Sequence, residues 1–550
     1  MAIASRILPR LLGATLCIAG APSAQAVDLS ALQPPAGVRF IGASAGDQSG
    51  TTVRFIGDIN GDGRADFAIG APERTRLGVA GVGVVHVVLG TAAAFNSRDF
   101  DLASTAAVGF TVLGPSSGAS RLGQSITPLG DFNGDGLDDF AIAGPVSGAA
   151  AIYIVFGATG FPSSINLDAS PSNYGRRITL PTSTPGVTLA RANLNNDVFS
   201  DLVVGDYERT VDGGAGAGRV TVVFGQAGGA SGTVLALESL TPTSALRAVA
   251  FVAGEADGRL GRGLADVGDF NGDGVGDLAI AAHNADVGTG RVFVAFGRNN
   301  TGPTTLGFAA IENLATFTAA HGMRFDASGA TGFEASRFGW SLAAANVDGV
   351  GGRDLMIGAP LADGLGRIDA GAVVGIYNTG APAPAFARGI STLLGAGAAF
   401  TVVGARGAEL IGASVARLGD LDGDGIEDFA VGSTLGAGSN GASQGGYTQT
   451  VRGRPSSAPF PATTDLLRLP LRFGTLWLGE AAGDQSGSSI GGGGDFNGDG
   501  RPDLLIGAPR SAGTGNLDSG VTYLVLDNRS PLVFCDGAEP VGAPVCGGTN

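Results

Sequence analysis

Seven short acidic segments recur along the chain, starting at Asp58, Asp131, Asn193, Asp269, Asn346, Asp420 and Asp495. They read DINGDGRAD, DFNGDGLDD, NLNNDVFSD, DFNGDGVGD, NVDGVGGRD, DLDGDGIED and DFNGDGRPD. In the pattern DxNxDGxxD the first, third and fifth side chains are oxygen donors, and glycines at the fourth and sixth positions permit the sharp turn that points them to one centre. The seventh residue can add a carbonyl, and an aspartate at the ninth can clamp the ion. That is the chemistry of calcium, which takes about six to eight oxygens in a flexible shell, whereas magnesium gives up its waters reluctantly. Zinc and copper have no support, because His86, His283 and His321 stand singly and no cysteine lies near.

Five loops keep every donor and predict about five calcium sites. The expected ligand sets are Asp58, Asn60, Asp62, Arg64 and Asp66; Asp131, Asn133, Asp135, Leu137 and Asp139; Asp269, Asn271, Asp273, Val275 and Asp277; Asp420, Asp422, Asp424, Ile426 and Asp428; and Asp495, Asn497, Asp499, Arg501 and Asp503. The seventh-position residue of each set acts through its carbonyl. At Asn346 the third donor is replaced by Val350, and at Asn193 the charge falls to Asp197 and Asp201 with Val198 in place of the turn glycine, so weak or empty sites are expected there. The loops resemble the first half of an EF-hand loop in chemistry alone, since no helical pattern flanks them.

The elements that hold these loops repeat with them. The intervals between loops are 73, 62, 76, 77, 74 and 75 residues, the mark of one supersecondary unit used seven times. In the second unit a small-residue segment, GQSITPL at 123–129, leads into the loop, which runs out through 140–142. Next come AAIYIVF at 150–156 and a more variable stretch containing a fourth extended segment. Short β-branched and aromatic runs bounded by Gly and Pro are strand punctuation. Four strands make a small antiparallel sheet that cannot cover both of its faces, so neighbouring sheets must stack, and a ring removes the exposed ends of the stack. The expected fold is therefore all-β, a seven-bladed β-propeller of four-stranded antiparallel blades, with the acidic loops between the first two strands of each. VRFIG at 38–42 matches FTVLG at 110–114 and FTVVG at 400–404, so it is expected to supply the strand that the last unit lacks. Segments before the loops, such as GSSIGGGG at 487–494, are small enough to crowd around an axis.

Composition narrows the class. The chain has 550 residues, 96 glycines and no lysine, which excludes Schiff-base chemistry and a Walker phosphate loop. Residues 1–26 have the order of a secretory signal: Arg6 and Arg10, an apolar run at 11–21, then Ala24-Gln25-Ala26 as a cleavage site. Its loss leaves 31 arginines against 49 acidic residues, a net charge of −18 that argues against nucleic acid. Sixteen of those acids are aspartates at ligand positions in the five intact loops. Residues 27–37 read as an N-terminal linker, 38–528 as the propeller and 529–550 as a tail in which Cys535 and Cys546 are expected to form a disulfide. No later stretch is long and apolar enough to span a bilayer as a helix. A secreted, periplasmic or cell-surface location and a monomeric propeller are expected.

Phe156-Gly157, Phe224-Gly225 and Phe296-Gly297, with Gly70-Ala71-Pro72, Gly358-Ala359-Pro360 and Gly507-Ala508-Pro509, resemble the FG-GAP repeats of the integrin alpha-subunit propeller. The resemblance covers roughly residues 38–528, with Ala143-Gly144-Pro145 a departure in the second unit. It implies structural calcium in the hairpin between the first two strands. The simple signal and the lack of a leg region lead us to expect a bacterial secreted relative rather than a receptor. The three histidines are scattered, no GxSxG elbow is present and the aspartates are taken up by the loops. A non-catalytic binding or cell-adhesion module for a protein or glycan ligand is therefore the expected function. Its ligand surface would be carried by variable stretches such as 158–176 and 299–320. The alternatives are a secreted propeller hydrolase or lyase acting on polysaccharide or lipid, and a structural surface-assembly protein.

Overall fold

A computed structural model describes residues 25–526, apart from 108, 145, 148–150, 182, 185, 229–231, 245, 300–306, 381–384, 470–472 and 514. The expected tail, its Cys535–Cys546 pairing and all but the last two residues of the expected signal lie outside the described residues.

Seven sheets form the blades of a propeller, and each has five strands rather than the expected four. Blade 1 runs outward from Thr52–Gly57 through Asp66–Ala71, Val84–Val88 and Gly109–Leu113, all antiparallel, to Ser164–Asn166, which adds in parallel. The extra strand comes from the next repeat, so it covers the row of unpaired main-chain groups that the fourth strand would otherwise present. Every fifth strand is three or four residues long and runs directly into a buried apolar residue: Leu29, Leu102, Leu167, Leu237, Leu314, Ile390 or Leu466. In five of the seven the last strand residue, Asp28, Asp101, Asn166, Asn313 or Asp465, accepts an N–H from two residues on, at 2.8–3.1 Å, and so fixes the turn that buries it. The stretches 158–176 and 299–320 hold two of these strands, Ser164–Asn166 and Ile311–Asn313.

The ring closes at the N-terminal end of the chain. Gly37–Ile41 pairs antiparallel with Val521–Val525 and parallel with Asp99–Asp101, completing blade 7. Gln25–Asp28 pairs in parallel with Thr475–Leu478 and is the fifth strand of blade 6. Arg39 ties the seam further, with its guanidinium 2.8 Å from Asp99 and 2.7 Å from Glu480. Residues 27–37 thus hold the end of one strand and the buried Leu29 and Leu32 as well as a connection.

Seven apolar clusters fill the seven spaces between adjacent blades. The cluster between blades 7 and 1, for example, joins Val38, Phe40 and Phe496 to Val53, Phe67 and Ile69. The innermost strands, Thr52–Gly57, Ser125–Gly130, Val187–Ala192, Leu260–Gly268, Leu342–Ala345, Ser414–Gly419 and Ser489–Gly494, converge on the axis.

Candidate metal centres

Each acidic loop joins the first strand of a blade to the second, so all seven lie on one face of the ring. In the five intact loops the glycines at the fourth and sixth positions have φ between 74° and 89°, the left-handed region that an L side chain disfavours. This curls the main chain around the first aspartate. Asp58 accepts the N–H groups of Gly61, Asp62 and Gly63 at 2.8, 3.0 and 2.7 Å. Asp131, Asp269, Asp420 and Asp495 repeat the same three bonds at 2.6–3.1 Å. The third-position side chain then meets the fifth, as where the Asn60 amide donates to Asp62 at 3.2 Å and Asn133 to Asp135 at 2.8 Å. The seventh-position residues Arg64, Leu137, Val275, Ile426 and Arg501 donate their N–H to the fifth-position carboxylate at 2.9–3.0 Å.

The ninth-position aspartate plays a part that the spacing alone does not reveal. Asp66, Asp139, Asp277 and Asp428 are buried, and each accepts the N–H of the second loop residue on one oxygen. Their other oxygen accepts from Gly90, Gly157, Gly297 or Gly453, just after the third strand, at 2.7–2.9 Å. Gly157 and Gly297 are the glycines of the FG pairs, so the FG element latches the loop to its own sheet. A side chain there is excluded, since a Cβ on Gly157 would lie 2.6 Å from Leu137 and 2.7 Å from the Asp138 carbonyl. The GAP glycine instead lets neighbouring blades approach, since a Cβ on Gly70, Gly358 or Gly507 would come within 2.1–2.2 Å of a carbonyl oxygen at the start of the adjoining innermost strand.

Burial pushes the carboxyls of Asp66, Asp139, Asp277 and Asp428 up to about 7 and that of Asp503 up to about 8, opposed by the main-chain donors and reinforced by neighbouring loop carboxylates. A divalent cation reverses this balance by favouring the ionised form. The donor set fits one. Carboxylate oxygens of Asp420, Asp422 and Asp428 lie within 4.8 Å of one another. In the other intact loops the named residues adopt the same main-chain cage.

The two degenerate loops fold differently. Asn193 cannot gather N–H groups as a carboxylate does, and its amide instead donates to the Asp197 carbonyl at 2.6 Å. Asn346 is held by Glu427 of the next blade, which accepts its N–H at 2.9 Å. The ninth-position latch survives in both, with Asp201 and Asp354 accepting from Leu194 and Val347 at 2.8 Å. The loops also stitch blade to blade: Asp138 accepts the Asp58 N–H at 2.8 Å, and Ala158 donates to the Ile59 carbonyl at 2.9 Å.

Three segments, 49–88, 264–295 and 486–525, match the FG-GAP repeat family. With the latch, the loops and the ring, they define an integrin-like FG-GAP propeller. Among curated proteins the chain is similar to human phosphatidylinositol-glycan-specific phospholipase D, 31% identical over 27% of this chain and 17% of that protein. It is similar also to chicken integrin alpha-V, 27% identical over 54% of this chain and 23% of that protein. Drosophila melanogaster integrin alpha-PS5 is 27% identical over 30% of this chain and 16% of that protein. The matched part is thus about a fifth of each relative's length.

Proposed function

We propose that the chain is a secreted, calcium-stiffened propeller that serves as a non-catalytic binding or adhesion module for a protein or glycan. The observation that carries this reading is the main-chain cage repeated in five loops, with oxygen-bearing side chains at the first, third and fifth positions on one ring face. Calcium bound there would hold Asp58, Asp131, Asp269, Asp420 and Asp495 with their loop partners, and the carbonyls of Arg64, Leu137, Val275, Ile426 and Arg501 would complete the shells. Because the loops hydrogen-bond across blades, ordering one would stiffen its neighbour. The similarity to integrin alpha chains supports a recognition role, and the burial of His86 and His283, pushed down to about 3 chiefly by desolvation, supports a role outside acid-base catalysis.

Calorimetric titration of chelator-treated protein tests the reading. The expected result is about five calcium ions per chain and a melting temperature that falls on chelation. Each site would contribute up to about 2.7 kcal/mol at a calcium level a hundred times its Kd. A melting curve unmoved by exhaustive chelation, with no heat of binding, would overturn it. Capture of soluble glycans and extracellular proteins by the calcium-loaded chain, set against the chelated chain, then separates recognition from a merely structural role.

A further inference from the structure

At the end of the axis away from the acidic loops, the innermost strands enclose a cavity of about 240 Å³ lined by residues of all seven blades. At one register position six blades place a hydroxyl, Thr52, Ser125, Thr188, Ser414 and Ser489 in their innermost strands and Ser341 just before its own, and blade 4 places Gly263. Thr52, Ser341 and Ser414 give their protons to carbonyls of the next blade at 2.7–2.8 Å, as Thr188 does to Gly261, and so fasten the ring. Ser125 and Ser489 instead accept main-chain N–H groups, from Leu189 at 2.9 Å and Val53 at 3.1 Å, and keep their protons for the cavity.

Two residues further along, on the same face, the strands carry Thr127, Ala190, Ala265, Ala343, Ala416 and Gly491, but blade 1 carries Arg54. One guanidinium therefore stands among small side chains at the axis. Its Nη1 donates to the carbonyls of Val53 and Ile490 at 2.9 and 2.8 Å and approaches Ser489 Oγ at 3.4 Å. Arg262 also lines the cavity, 3.8 Å over the ring of Trp340, and its buried Nε has no hydrogen-bond partner among the described residues. Its charge is offset first by Tyr207, whose ring centroid lies 5.5 Å from the guanidinium, and less by Glu208, which itself pairs with Arg259 at 3.5 Å. Among the described residues two arginines and no carboxylate line this cavity, in a chain with 49 acidic residues. Desolvation lowers the pKa of both arginines, and for Arg54 no charged partner offsets it. A half-buried guanidinium stays ionised, and without a counter-charge its partial burial is costly.

We propose that the axial cavity is a binding site for one oxyanion, held by Arg54 and Arg262 with the hydroxyls of Ser125 and Ser489 as further donors. Its size admits a sulfate, or the sulfate group of an acidic sugar, together with a few waters. Planar guanidinium forks suit such groups better than chloride.

The test is equilibrium dialysis of calcium-loaded protein against radiolabelled sulfate at constant ionic strength in chloride; phosphate is avoided because it precipitates calcium. One saturable sulfate per chain is expected, weakened at least tenfold by Arg54→Met and severalfold by Arg262→Gln. The second variant leaves Arg54 and the hydroxyls at the axis in place and decides the matter if the first does not fold. Galactose 6-sulfate as competitor identifies the source of the group: tighter competition than unlabelled sulfate marks a sulfated glycan, and equal or weaker competition marks the free anion, either of which supports the site. Absence of saturable sulfate binding, or equal binding by wild type and a folded variant of either arginine, would overturn it.

Discussion

Removing residues 27–42 strikes the ring at its seam. The deleted segment buries Leu29, Leu32, Val38, Phe40 and Ile41. At roughly 1.5–3 kcal/mol for each fully buried side chain, on the order of 8–15 kcal/mol is lost, an upper figure because unfolded chains already bury some surface. That matches the whole net stability of an ordinary domain, about 5–15 kcal/mol. Arg39 leaves with the segment, so Asp99 and Glu480 lose the guanidinium that binds them at 2.8 and 2.7 Å. Val521–Val525 becomes an unpaired edge, open to another chain. The truncated protein should melt well below the intact one and elute as oligomers from a sizing column. A synthetic peptide of residues 27–42 supplied in trans should restore both properties, because it refills two blades at once. A monomeric truncated chain with an unchanged melting point would refute the reasoning and place the closing energy elsewhere.

Three other outcomes follow from the loops and the core. Asp424→Ala or Asp499→Ala should reduce calcium stoichiometry by one, while Asn195→Ala should leave it unchanged, as measured by titration calorimetry; an unchanged count in the first pair would contradict the ligand assignment. Gly157→Ala should cost about 1–3 kcal/mol in urea unfolding through overpacking. Gly160→Ala, where a Cβ meets nothing within 4 Å, should be silent; equal effects would contradict the close packing around Gly157. Burial, with a smaller push from Arg74, holds the His86 imidazole down at about 3, so as pH falls below about 6.5 the unfolded chain takes up a proton that the folded chain refuses. Wild type should therefore lose on the order of 2 kcal/mol relative to His86→Leu between pH 7 and 5, and a difference that stays flat with pH would contradict a neutral buried ring.

The ring and its number of blades were legible because the acidic loops recur at nearly even intervals and small residues precede them. The fifth strands were not. Asp99–Asp101 is polar and partly exposed, and its pairing with Gly37–Ile41 is long-range, so no local hydrophobic period announces it. A signal did exist in the dipeptides Asp28-Leu29, Asp101-Leu102, Asn166-Leu167, Asn313-Leu314 and Asp465-Leu466, where a capping side chain precedes a buried leucine. The acidic positions were readable, but the double role of the ninth aspartate was not, since its partner, such as Gly157 for Asp139, lies just past another strand. Arg54 could have been noticed as the one long side chain in a column of small ones, yet that column exists only once the strands are in register.

Each blade takes its outermost strand from the following repeat, and the seam at the N-terminal end has the same construction as the other six joints. The repeat inherited in the sequence and the blade seen in space are therefore out of step. A blade cut out at its spatial edges would leave a strand behind and take one that belongs to its neighbour, so blades are not interchangeable cassettes. The position of the ends is, by contrast, nearly arbitrary. A circularly permuted chain opened just before Ser164–Asn166, with its native ends joined, would present a strand for blade 1 and then one for blade 2, as the native chain does for blades 6 and 7. Seven such openings exist, one per joint, and each would rebuild the ring by the same overlap.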